Sequence, residues 1–358
     1  MNEVRLNSFI NGGYCLGVIA VISILLAFFY NSVGLYDTPS SVGILFQSDI
    51  RVSGWAAFFF NLIFIAVNTI LIVYLNKRYA FIREYTLLHA TYFLILTFSV
   101  SSLVAVANSS IVLSIGVLLS MLVLFEGYQQ RQRRSFIFLI SFILAVGSMF
   151  NYAFVLLLPV FFIGFIQMQL MCFKGFVAML IGLFVPYWIV LGLGIADLSD
   201  IALPKLAFTA DAYIDIVTSP LVFNIAMTIL TGAILSAVNM FRLMSYKLQL
   251  RSYNGFITIL AMVATVLLFV DINNVYFYLT ILNICLAFHV AHFFTIEKLR
   301  RGYILFAVLA LVNLSGWIGF EVIRYLIRDE NYCREKYTLY QRAFGIIWRS
   351  FVLAGRCY

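Results

Sequence analysis

RQRRSFIFLISFILAVGSMFNYAFVLLLPVFFIGFIQMQLMCFKGFVAMLIGLFVPYWIV, residues 131–190, decides how the chain is read. Three arginines open it, Lys174 interrupts it, and nothing else in it is charged. A helix crossing about 30 Å of hydrocarbon takes roughly 20 apolar residues. Residues 136–168 are long for one crossing and short for two. Gly147, Asn151 and Pro159 punctuate the run, so two short helices with a turn near Asn151 are expected.

The same alternation of apolar run and short basic cluster extends from Cys15 to about Arg324. Eleven spans are expected, at about 10–30, 54–75, 86–107, 110–127, 136–150, 152–168, 176–196, 219–241, 256–271, 274–295 and 303–323. The last long apolar stretch is divided at Asp271, Asn273 and Asn274. The fold class is therefore all-α, a polytopic helical membrane protein. A membrane domain occupies 1–323 and a basic tail 324–358, where Phe344–Ala354 is suited to an interfacial helix. A β-barrel would alternate polar and apolar residues over about 10 positions. Stretches such as Ile111–Phe125 do not.

Composition agrees. The 358 residues are 64% hydrophobic and only 11% charged, against about 25% charged in soluble domains. Mean hydropathy is +1.03. The net charge of +8 is spread over short loops, not gathered in one stripe, so nucleic acid is not the expected partner. With the N-terminus in the cytoplasm, the inner loops hold Lys77, Arg78 and Arg83; Arg131, Arg133 and Arg134; Lys174; Arg242, Lys247 and Arg251; and Lys298, Arg300 and Arg301. That is the bias expected of cytoplasmic loops. Merging 136–168 into one span would invert every later loop. The tail is the exception: an odd count places it outside, yet it carries Arg324, Arg328, Arg334, Lys336, Arg342, Arg349 and Arg356. The first span has no convincing cleavage site and reads as retained.

Chemistry must come from few groups. The first outer loop carries Asp37, Asp49 and Arg51. The second, about 197–218, carries Asp197, Asp200, Asp211, Asp215 and Lys205. The plain reading of both is solvated loop charge. The functional reading makes Asp37 or Asp49 a base for an acceptor hydroxyl at the membrane surface, where hydrogen-bond reach is the requirement. Asp211 and Asp215 share a face if helical and would suit a hard cation. Arg324 and Arg328, four apart beyond the last span, have the forked donors that hold phosphate, or simply reach for headgroups. Asn61 and Asn68 share a helix face and are expected to bond between helices. His289 and His292 lie one turn apart with no third ligand evident, so no metal is assigned. Glu126, Asp271 and Glu321 lie where interfacial water is expected to hydrate them. None of Cys15, Cys172, Cys285, Cys333 and Cys357 forms a CxxC pair. GxxxxGK(S/T), HExxH and GxSxG are absent, and no cofactor is indicated.

At NKRYAFIREYTLL and at FNYAFVLLLPVFFIGFIQMQLMCFKGFVAMLIGLFVPYWIV the chain resembles an uncharacterised family of multi-pass inner-membrane proteins from Bacteroidota. That resemblance covers about 55–315 and implies no activity. A weaker likeness is to membrane glycosyltransferases and sugar polymerases that use polyprenyl-phosphate donors. It would give Asp37 or Asp49 the acidic place in the first outer loop. Arg51, Lys205, Arg324 and Arg328 would hold the lipid-linked phosphate. The chain departs from that pattern in lacking a paired-acid signature and a large outer domain. The functional expectation is an inner-membrane protein of the cell envelope acting on a polyprenyl-phosphate-linked glycan. The alternatives are a non-catalytic subunit among envelope partners, and a transporter or flippase.

Overall fold

The computed structural model describes residues 9, 11–33, 43–46, 55–79, 86–105, 109–197, 199, 201, 221–243, 247–297 and 303–313. Among these the regular structure is helical and no strand occurs. The helices are α1 (Gly13–Val33), α2 (Trp55–Tyr79), α3 (Leu88–Phe98), the single turn α4 (Ser101–Val104), α5 (Ser109–Glu126), α6 (Ser135–Phe150) and α7 (Ala153–Gln167). After them come α8 (Phe173–Gly192), α9 (Leu221–Leu243), α10 (Leu248–Val270), α11 (Val275–Glu297) and α12 (Tyr303–Asn313). A 3-10 turn, Ile272–Asn274, joins α10 to α11. Helices are the physical outcome of such apolar runs, because hydrocarbon offers the backbone no partner and each helix satisfies its own.

Among the described residues seven helices are long and apolar enough to cross a membrane: α1, α2, α5, α8, α9, α10 and α11. The other four apolar segments of the sequence hold the shorter helices α3, α6, α7 and α12. By length and composition among the described residues, seven candidate crossings are supported and the expected count of eleven is not confirmed. α6 and α7 have 16 and 15 residues, and at ~1.5 Å per residue each reaches only about three quarters of the hydrocarbon thickness. The turn between them falls at Asn151, as its extended backbone requires (φ −151°, ψ 116°). The expected span 86–107 is broken: α3 ends at Phe98, and Val100 is extended (φ −116°, ψ 104°) before α4 begins. α10 starts at Leu248, well before the apolar run at Phe256, with Lys247 just ahead of it and Arg251 in its first turn.

α3 and α11 form the centre. Every residue of Leu88–Phe98 is buried, and 89% of α11's apolar window is inside the bundle, against 22% for α1 and for α8. The outer helices turn large apolar side chains outward, among them Leu25, Phe59, Ile70, Phe184, Trp188 and Met262. Water would not tolerate so continuous an apolar surface on a monomer; lipid does. The chain is a multi-pass membrane protein. α8 lies on α6 through a small residue: a Cβ on Gly182 would stand 2.6 Å from the Phe138 carbonyl oxygen, the close backbone approach that such helices use in place of a hydrophobic driving force.

The helix ends sort into two groups. At one, Asn11 meets Thr86 and Leu87, Arg78 meets Glu126, Tyr253 donates to the Phe125 carbonyl, and Gln129 N–H donates to the Met168 carbonyl. Every described lysine and arginine lies at this basic end: Lys77, Arg78, Arg131, Arg133, Arg134, Lys174, Arg242, Lys247 and Arg251. At the other, Tyr30 donates to the Phe98 carbonyl, Asn61 to that of Val104 and Asn224 to that of Ser99. The described aspartates, Asp197 and Asp271, belong to this second end.

Candidate functional site

Asp37, Asp49, Arg51, Lys205, Arg324 and Arg328 lie outside the described residues, as do Asp211, Asp215, Glu321, Cys333, Cys357 and the tail segment 344–354. What the structure does place is the frame from which two of those segments leave. Gly43–Phe46, in the middle of the first aspartate-bearing segment, lies on the C-terminal end of α6. Ile44 N–H donates to the Ser148 carbonyl at 3.2 Å, and Leu45 and Phe46 N–H both donate to that of Met149, at 3.3 and 3.0 Å. Gly43 is needed for this seat, because a Cβ there would run into the Met149 carbonyl oxygen. Phe46 stacks on Phe150 with ring centroids 5.3 Å apart. Leu45, Met149 and Ala196 then form a small apolar cluster of their own, flanked by Tyr187 and Val190. Ser148 and Tyr187 hydroxyls sit 2.6 Å apart beneath it. Ala196 is the last apolar residue before the second aspartate-bearing segment. Leu45 and Ala196 are therefore neighbours on the end of α6.

A second polar feature lies at the same end. Asp271 is fully buried, where the sequence reading expected interfacial water to hydrate it. Its Oδ1 accepts from the Tyr152 hydroxyl at 2.5 Å, and its Oδ2 from Asn274 Nδ2 at 2.8 Å and the Tyr278 hydroxyl at 2.9 Å. Three elements supply the donors: the residue preceding α7, the 3-10 turn, and the first turn of α11. The carboxylate is thus engaged at both oxygens, which suits a pin better than a base that must receive a proton from substrate. Nothing in the sequence paired Tyr152 with Asp271, 119 positions away.

The other residues singled out by sequence are also placed. Asn61 and Asn68 do bond between helices: Asn68 Nδ2 donates to the Ile111 carbonyl at 2.9 Å, and its Oδ1 accepts from Ser114 Oγ at 3.0 Å. Glu126 is partly exposed, paired with Arg78 at 3.2 Å and accepting from the Tyr79 hydroxyl at 2.9 Å. His289 and His292 are buried on α11. Among the described residues no three of His, Cys, Asp and Glu come together to hold a metal. His89, not singled out by sequence, is buried as well.

No family model matches this chain, and neither any curated protein nor any solved structure is similar to it.

Proposed function

We propose that this multi-pass membrane protein belongs to the inner membrane of the cell envelope and acts there on a polyprenyl-phosphate-linked sugar. The basic end faces the cytoplasm, because cytoplasmic loops carry the excess of lysine and arginine. Asn11, just ahead of α1, lies on that side, next to Thr86. The opposite end, with its aspartates, is the working face.

One observation supports the reading: Leu45, Met149 and Ala196 pack in one cluster, and in sequence Leu45 lies between Asp37 and Asp49 while Ala196 precedes Lys205. In this scheme Asp37 or Asp49 takes the proton of an acceptor hydroxyl as its oxygen attacks the anomeric carbon. The bond from that carbon to the phosphate oxygen breaks, and the lipid phosphate departs with the electron pair. Arg51, Lys205, Arg324 and Arg328 balance the charge that develops on the leaving group, commonly the largest electrostatic term in such transfers. The test is complementation of a deletion strain with Asp37→Asn, Asp49→Asn and the double variant at matched protein level. Loss of surface glycan with either single variant identifies the base; normal glycan with the double variant removes the acid assignment.

A carrier is the second reading, favoured by the burial of all three histidines on the central helices α3 and α11, since ionisable groups inside a bundle often mark a pathway. Uptake of labelled lipid or solute by proteoliposomes would support it, and no uptake by verified reconstituted protein would count against it.

A further inference from the structure

The central helices hold polar atoms that the preceding scheme does not use. His89 on α3 stacks on Phe288 of α11 with ring centroids 5.9 Å apart. Neither of its ring nitrogens has a hydrogen-bond partner among the described residues. The residue after Phe288 is His289, whose Nε2 is also unpartnered. Its backbone carbonyl accepts from Asn239 Nδ2 of α9 at 2.8 Å, while Oδ1 of that amide has no partner. One turn along α3 from His89, the Tyr92 hydroxyl accepts from Asn313 Nδ2 of α12 at 3.1 Å, and Asn313 Oδ1 is left over in the same way. All four of these side chains are at least 98% buried.

A buried group without a partner costs about 1–3 kcal/mol, and folded proteins keep few of them. Five such atoms lie on helices joined by the His89–Phe288, Asn239–His289 and Tyr92–Asn313 contacts. Their chemistry restricts what meets them. α3 and α12 contain no charged residue, α11 contains none before Glu297, and α9 contains only Arg242, which is exposed, so no buried charge here would balance an ion. The histidines are not grouped for a metal. A neutral imidazole offers one donor and one acceptor, and an amide oxygen only accepts. A hydroxyl group, which both donates and accepts, complements all of them.

We infer that α3, α9, α11 and α12 enclose a binding site for an uncharged, hydroxyl-bearing ligand, met either as ordered water molecules or as the hydroxyls of a sugar. The site rests on the buried side chains alone and does not depend on the glycan reading. The experiment uses the full chain in lipid nanodiscs. Diethyl pyrocarbonate is the probe of the histidines, read residue by residue by peptide mass spectrometry, and the thermal midpoint of His89→Phe is measured alongside. Phenylalanine preserves the stack on Phe288 but removes both nitrogens. A filled site gives labelling of His89 and His289 in the folded protein and a lowered midpoint for His89→Phe. A dry interior gives no labelling before unfolding, or a raised midpoint because two orphaned atoms are gone; either result overturns the inference. Should His89→Phe not fold, labelling of the native chain decides alone. Repeating the labelling with saturating N-acetylglucosamine separates the two sources: protection of about tenfold assigns sugar hydroxyls, and an unchanged rate assigns water.

Discussion

Tyr152 donates its hydroxyl hydrogen to Asp271 across 2.5 Å, tying the turn between α6 and α7 to the turn between α10 and α11. Tyr278 and Asn274 complete the set on the other oxygen. Two breaks in the apolar pattern, far apart in sequence, are thus one structural joint. Asp271→Asn keeps the shape but turns an NH2 group toward a donor, so it is expected to cost about 1–3 kcal/mol. Tyr152→Phe and Tyr278→Phe each remove one donor and should cost less than Asp271→Asn. Thermal midpoints of the detergent-solubilised variants check this order. An Asp271→Asn midpoint equal to that of the unsubstituted chain would show that the joint is not held by these bonds.

Gly182 sets the spacing of α8 on α6. Adding a methyl group 2.6 Å from the Phe138 carbonyl oxygen forces the helices apart, and Gly182→Ala is expected to cost about 1–3 kcal/mol. Gly192, in the same helix, has open space where its Cβ would be. Gly192→Ala should leave the midpoint unchanged or raise it slightly. Equal effects of the two alanines would contradict the packing described.

Asn68 joins α2 to α5 by bonds to Ile111 and Ser114. Hydrogen bonds between membrane helices average about 0.6 kcal/mol in double-mutant cycles. Asn68→Leu is therefore expected to cost about 1 kcal/mol or less, well below the loss at Asp271. A double-mutant cycle with Ser114→Ala measures the coupling directly, and a coupling near zero would mean that the two side chains act independently.

Sidedness is checked with single cysteines in a chain whose native cysteines are replaced. Asp197→Cys should react with an impermeant maleimide in intact spheroplasts. Lys174→Cys should react only after the membrane is opened. The reverse pattern would turn the molecule over and put the basic loops outside.

The sequence made the helical architecture legible because hydrocarbon allows little else. The turn at Asn151 and the break at Asp271 were both visible as polar residues interrupting apolar runs. What hydropathy could not show is how far each helix extends or what it faces. α10 follows Lys247 and carries Arg251 in its first turn because an exposed helix end tolerates charge, so its start is invisible to an apolar window. Asp271 read as a hydrated loop acid because its donors Tyr152 and Tyr278 come from elements brought near only by folding. His89 is not legible in the sequence, because one histidine in an apolar run carries no periodic signal. The candidate acids and arginines rest on charge placement in sequence, while the packing of Leu45 against Ala196 emerges only from the three-dimensional structure.

α3 touches other protein on every side, with Thr91, Tyr92 and Thr97 among its buried residues. Its principal neighbour, α11, leaves the ribosome long after it. The contacts that bury α3 are therefore complete only once α11 has been made and packed against it.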